Sequence, residues 1–214
     1  MRKGIFAVIL AASAAALTIG LTATSSFAST VKSTVKTWSV SPGGSITLSS
    51  SRVRLKDTST AKAVTCTSSS AKGTLKSGTG LSGTGIGSLT STSYSTCTGP
   101  KKLAITLTAA SLPWTLNAAF YNKTKGVADG TITGITITVS GTGCTATVAG
   151  TSATTGGDEH FTYGNSTADL KFAPADGTLH VYAVTGCTGL FKTGDAVTLA
   201  AIYAVSPKQK LVKS

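Results

Sequence analysis

The sequence predicts an all-β fold, an antiparallel sandwich or barrel of about ten strands carrying an internal pseudo-duplication. Three observations carry that expectation. Thr, Ser and Gly dominate a chain in which charged residues are only 12 %, and Thr favours strands while Gly punctuates turns. Short apolar-alternating runs recur between turn residues, with no amphipathic helical run beyond the first residues. Finally, residues 89–99 (LTSTSYSTCTG) and 179–189 (LHVYAVTGCTG) share one skeleton, a leucine set at the same interval before Cys-Thr-Gly. Each is preceded by another Cys-Thr, at Cys66 and Cys144, followed by an Ala and a Gly-Thr. Two related halves, about 38–112 and 130–206, therefore make up a single domain.

Residues 1–28 have the three parts of an export signal: Arg2 and Lys3, an apolar run from Ile5 to Leu21, and Ser26-Phe27-Ala28 as a small-x-small cleavage site. The expected mature chain is residues 29–214, without a further run long enough for a spanning helix. An exported chain with four cysteines most simply forms two disulfides, and sequence alone allows three connectivities. The duplication favours Cys66 with Cys97 and Cys144 with Cys187, so that each half closes on itself. No C-x-x-C pair is present to chelate zinc, and no metal or cofactor is expected.

Taken in order, residues 38–42 (WSVSP) read as an edge strand, because proline cannot donate to a central ladder. Residues 203–207 (YAVSP) end the chain the same way, which places the first and last strands near one another. Residues 51–57 (SRVRLKD) alternate cleanly: Val53 and Leu55 on one face, Arg52, Arg54 and Lys56 on the other. That cationic stripe is a candidate surface for polyanions, or else a charged, solvated strand face. Residues 78–83 match G-x-G-x-x-G, but no helix and no ribose-binding acid follow, so dinucleotide binding is set aside. The segment 103–108 (LAITLT) is another strand, and after it comes the densest aromatic stretch, Trp114, Phe120 and Tyr121. Trp114 and Tyr121 are candidates for a stacking platform, with Trp114 alternatively a core plug between the halves.

Residues 130–140 (GTITGITITVS) give the strongest strand signal, with Ile135, Ile137 and Val139 inward and Thr136 and Thr138 outward. Residues 156–160 (GGDEH) hold the sole glutamate, Glu159, and are expected at a polar hairpin tip. Asp158, Glu159 and His160 cannot converge from a strand, whose neighbours alternate faces. The remaining strands fall at 161–163, 170–172, 179–184 and 197–205.

At WSVSPGG (38–44), GLSGTGIGSLT (80–90), CTGP (97–100), LPWTLNA (112–118) and GTITGI (130–135), the chain resembles exported, uncharacterised Thr/Ser/Gly-rich β proteins of actinobacteria. The resemblance spans nearly the whole mature chain. It implies no particular activity and assigns no functional residue.

The formal net charge is +12, and removal of Arg2 and Lys3 leaves +10. With two histidines and no G-x-S-x-G elbow, no catalytic residues are identified. Basic and aromatic residues are not interleaved as a nucleic-acid strip requires. The leading expectation is a secreted or cell-envelope-associated, non-catalytic β protein that binds an anionic polymer or partner surface. A carrier of small ligands, with an apolar cavity near Trp114, is the alternative. A secreted hydrolase, requiring Glu159 to converge with Asp169 or Asp176, is the third.

Overall fold

A computed structural model describes residues 36–173, 177–187 and 189–214. The leader at 1–28, Asp176 and all but Gly177 of the turn expected at 174–177 lie outside the described residues. Fifteen strand segments follow in chain order: β1 (Trp38–Ser41), β2 (Gly44–Ser50), β3 (Val53–Asp57), β4 (Ala63–Leu75), β5 (Gly78–Leu81), β6 (Gly87–Thr98), β7 (Ala104–Ala110) and β8 (Trp114–Asn122). They continue as β9 (Val127–Gly141), β10 (Cys144–Ala149), β11 (Gly157–Gly164), β12 (Asp169–Ala173), β13 (His180–Thr185), β14 (Val197–Ser206) and β15 (Lys210–Lys213).

The pairings resolve these segments into staves of one closed antiparallel barrel. Both β2 and β3 lie between β14 and β4, so they are one stave with a break at Ser51. Likewise β7 and β8 both lie between β6 and β9. The pair β10 and β11 shares β9 on one side and meets β13 and β12 on the other. The ring closes where β14 pairs with β12 on one flank and with β2 and β3 on the other. Near β13, closure continues through Val181 N–H to Asp195 O at 2.9 Å and Val197 N–H to Leu179 O at 2.9 Å. Neighbours in the ring are thus neighbours in sequence, an up-and-down meander.

The breaks explain why there are more segments than the ten or so strands expected. Ser50 Oγ donates to Arg52 O at 2.9 Å, a local hydroxyl bond that competes with the ladder. Pro113, between β7 and β8, has no N–H to give. Within β9, Gly134 has φ +84°, and a Cβ on Gly156 would lie 2.4 Å from the Gly134 carbonyl carbon. That backbone-to-backbone approach bends the stave where β10 ends and β11 begins.

Alternation decides what fills the ring. From β9, Ile132, Ile135, Ile137 and Val139 are fully buried, and from β14, Val197, Leu199, Tyr203 and Val205 also point inward. These side chains close the interior: two internal spaces among the described residues measure about 30 Å³ and about 10 Å³, no more than the room of a water or two and lined mostly by apolar side chains. Outward positions carry hydroxyls instead. In register, Thr106, Ser140, Thr145 and Thr185 form one row across four staves, with Thr108, Thr138, Thr147 and Tyr182 in the next. A dry interior with hydroxyls and cations outside is the reverse of a lipid-facing barrel. No helix among the described residues is long and apolar enough to cross a membrane.

A separate three-stranded sheet, in the order β15, β1, β5, caps one end of the ring. Here the first and last strands among the described residues pair directly, Trp38 opposite Lys213, with β1 in the middle of the sheet and not at an edge; the 203–207 segment expected near it pairs with β2 instead. Gln209, 1 % exposed, sews cap to barrel. Its Oε1 accepts Gly43 N–H at 2.9 Å, its own N–H donates to Tyr163 Oη at 3.0 Å, and Tyr163 Oη donates to Gln209 O at 2.9 Å.

Both disulfides form as the duplication favours, Cys66–Cys97 and Cys144–Cys187. Each joins adjacent antiparallel staves at the uncapped end, and the second bridge lies four staves around the ring from the first. Closing loops with sequence separations of 31 and 43 residues, each stabilises the fold by roughly 4 kcal/mol in the chain-entropy account.

Candidate functional site

The break after β2 shapes a groove on the outer surface of the barrel. Arg52 sits at the break and Arg54 follows on the outer face of β3, with Ala200 of β14 and Thr65 of β4 as its cross-strand partners. Beside them β14 turns an apolar face outward, because Ala200 and Ile202 alternate with inward Leu199, Ala201 and Tyr203. Ile202 is 55 % exposed. Phe172 of β12 lies against Tyr203, ring centroids 5.9 Å apart and edge to face. Together Ser50, Ser51, Arg52, Arg54, Phe172 and Ile202 line a groove of about 430 Å³, floored by Ala200 and Ala201.

Its electrostatics are one-sided. No acidic side chain is in the lining, and among the described residues neither guanidinium has a hydrogen-bonding partner. Guanidinium groups match carboxylate and phosphate oxygens two at a time, and the apolar floor suits the carbon skeleton between such groups. Lys56 is half-buried, one pleat further along β3 with Thr198 and Ala63 beside it, and is not in the lining. The stripe of three expected cations is therefore a groove with two of them at its wall.

Trp114 is elsewhere. It is 2 % exposed, its Nε1 donates to Ala110 O at 3.0 Å, and it faces Leu89, Ile132, Leu199 and Tyr203 across the residual 10 Å³ space. It fills the barrel, as a plug does, and offers no stacking face. The roomy apolar cavity of the carrier alternative is absent beside it among the described residues, since the space there measures only about 10 Å³. Tyr121 lies at the capped end, edge to face with Trp38 at 6.4 Å. The two aromatics do not share a site.

Residues 156–160 correct a second expectation. They enter strand β11, not a hairpin tip, and alternation sends Glu159 inward while Asp158 and His160 face out. Glu159 reaches the β14 backbone, where its Oε1 accepts Leu199 N–H at 3.0 Å. Oε2 is buried without a hydrogen-bonding partner among the described residues. A Cβ on Gly177 would lie 2.7 Å from the carboxyl carbon, so a larger residue there would displace the Glu159 carboxyl. Burial raises the carboxyl from an ordinary 4.5 to about 7, against a smaller lowering from the Leu199 bond. Asp169 alternates with inward Leu170 and points out, so it does not meet Glu159 in one cleft. No three His, Cys, Asp or Glu side chains gather into a metal-holding group among the described residues.

Phe172 and Ile202 escaped the sequence reading. The signal was present in the β14 sequence, VTLAAIYAVS, whose outward positions include Ala200, Ile202 and Ala204 where most strands here carry Thr or Ser. No family model, curated protein or solved structure matches the chain.

Proposed function

We propose that this is an exported, non-catalytic barrel that binds an anionic polymer of the cell envelope along the flank groove of Arg52 and Arg54. One observation carries the reading: two unpartnered guanidiniums stand on the wall of a groove of about 430 Å³ whose floor is apolar. The export-type leader, two disulfides and the net charge of +10 left after leader removal agree with an oxidising, extracellular setting. A resemblance to exported actinobacterial proteins points the same way. The filled interior gives no support to a carrier of small apolar ligands, and Asp169, facing away from Glu159, gives none to a hydrolase built on that pair; Asp176, the other candidate partner, lies outside the described residues.

The test is cosedimentation of the mature protein with purified cell walls across a salt series. Binding is expected at low ionic strength and is expected to fade as salt screens the charges. Arg52→Gln with Arg54→Gln is expected to lower the bound fraction at least several-fold at low salt, with thermal stability unchanged, because both side chains are exposed. Wild-type protein remaining in the supernatant at low salt would remove the proposal.

A further inference from the structure

The capped end carries a second arrangement of cations and rings, independent of the flank groove. A register shift between Ala118 and Phe120 in the β8–β9 ladder turns Phe120 outward, 60 % exposed. Bulges re-aim side chains in this way. Around it, Lys36, Tyr121, Lys123, Lys213 and Ser214 complete a groove of about 190 Å³.

One wall of this groove is held in place. Lys213 Nζ donates to the bulged Ala119 carbonyl and lies 5.6 Å from the Trp38 ring centroid. Trp38 packs edge to face on Tyr121, whose Oη accepts from Asn165 Nδ2 at 3.5 Å. Asn165 is itself fixed at both ends of its amide by the Leu211 backbone. Lys36 and Lys123 are exposed and have no hydrogen-bonding partner among the described residues. The lining contains no acidic side chain; Asp129 lies outside it as the cross-strand partner of Phe120.

Size and chemistry narrow the occupant. A pocket enclosing a drug-sized ligand spans about 300–1,000 Å³, so this groove takes one ring-sized residue of something longer. A simple polyanion would use the lysines and leave the Phe120 ring in water. A lipid surface would call for a projecting face, whereas this one is recessed. We propose that the capped end binds one anionic sugar residue of a glycan. Phe120 and Tyr121 lie against the C–H face of the sugar ring, and Lys36 and Lys123 hold its carboxylate or phosphate.

The experiment uses the mature protein carrying Arg52→Gln and Arg54→Gln, so that the flank groove does not contribute and the two proposals fail separately. Calorimetric titrations compare polygalacturonate and phosphorylated dextran with plain dextran and inorganic polyphosphate. At least one of the two anionic glycans is expected to bind about tenfold more tightly than both controls, and the preferred one tells carboxylate from phosphate. Phe120→Ala, at an exposed ring, is expected to remove that preference while leaving weak polyphosphate binding as it was. Lys36→Gln with Lys123→Gln is expected to weaken glycan and polyphosphate together. Polyphosphate binding as well as either glycan, an affinity indifferent to Phe120→Ala, or Phe120-dependent binding only to anionic phospholipid vesicles would each overturn the assignment.

Discussion

Trp114→Ala is expected to be the most damaging single substitution in the barrel, lowering the unfolding free energy by about 4 kcal/mol, as large aromatic truncations in cores do. For a domain of this size that corresponds to a fall in melting temperature of roughly 10 °C. The reasoning is geometric. Trp114 touches side chains from several staves in an interior already closed to about 10 Å³, so its removal opens a void that the surrounding ring is too constrained to collapse. Urea unfolding of both proteins measures the loss. The variant should also gain what the wild type lacks, a dry hole able to take indole, visible as a melting temperature that rises with indole concentration. Indole stabilising the wild-type protein equally would contradict the filled interior and return attention to small-ligand transport.

The second large effect is a stability that falls as pH rises. Glu159 ionises at about 7 in the folded protein, against an ordinary 4.5. Between those two pH values the native state keeps a proton that the unfolded chain has released, so folding is favoured most on the acid side. The contribution is fully present below about pH 4.5 and is lost as pH rises through 7; its size is at most roughly 3 kcal/mol, less to the extent that solvent screens the carboxyl. Glu159→Gln retains an acceptor for Leu199 N–H and cannot ionise. Its unfolding free energy should therefore lack the decline across that window and exceed the wild-type value at pH 8. A wild-type profile flat from pH 5 to 8, or a Gln variant with the same slope, would show that Glu159 stays charged in the fold.

The fold was legible because its determinants are local. Alternation in residues 51–57, 103–108 and 130–140 marks β3, β7 and β9, and the paired Cys-Thr-Gly segments indicate which sulfurs meet. Closure into a ring was not legible. It depends on Val205 lying opposite Leu48 and on Lys171 lying opposite Ile202, and no periodicity within a segment encodes a partner so far away. The candidate site was half visible for the same reason. Arg52 and Arg54 stand out in a strand pattern, whereas the floor beneath them comes from β14 and Phe172, which only the assembled ring brings alongside. The reading of Glu159 failed differently. A charged pair flanked by glycines looks like a turn, and burial of a lone carboxyl makes sense only once the assembled ring brings it to the Leu199 amide that it satisfies.

The meander also constrains how this molecule comes into being. Every stave after the first finds a neighbour immediately before it in the chain, so growth can proceed by successive hairpins with short loops to close. Val197–Ser206 must also reach back to Gly44–Asp57, and until it does, the first and last staves expose unsatisfied backbone. A truncated or still-emerging polypeptide is thus an open, adhesive ribbon, and the mature barrel is available only after the final strand has been delivered.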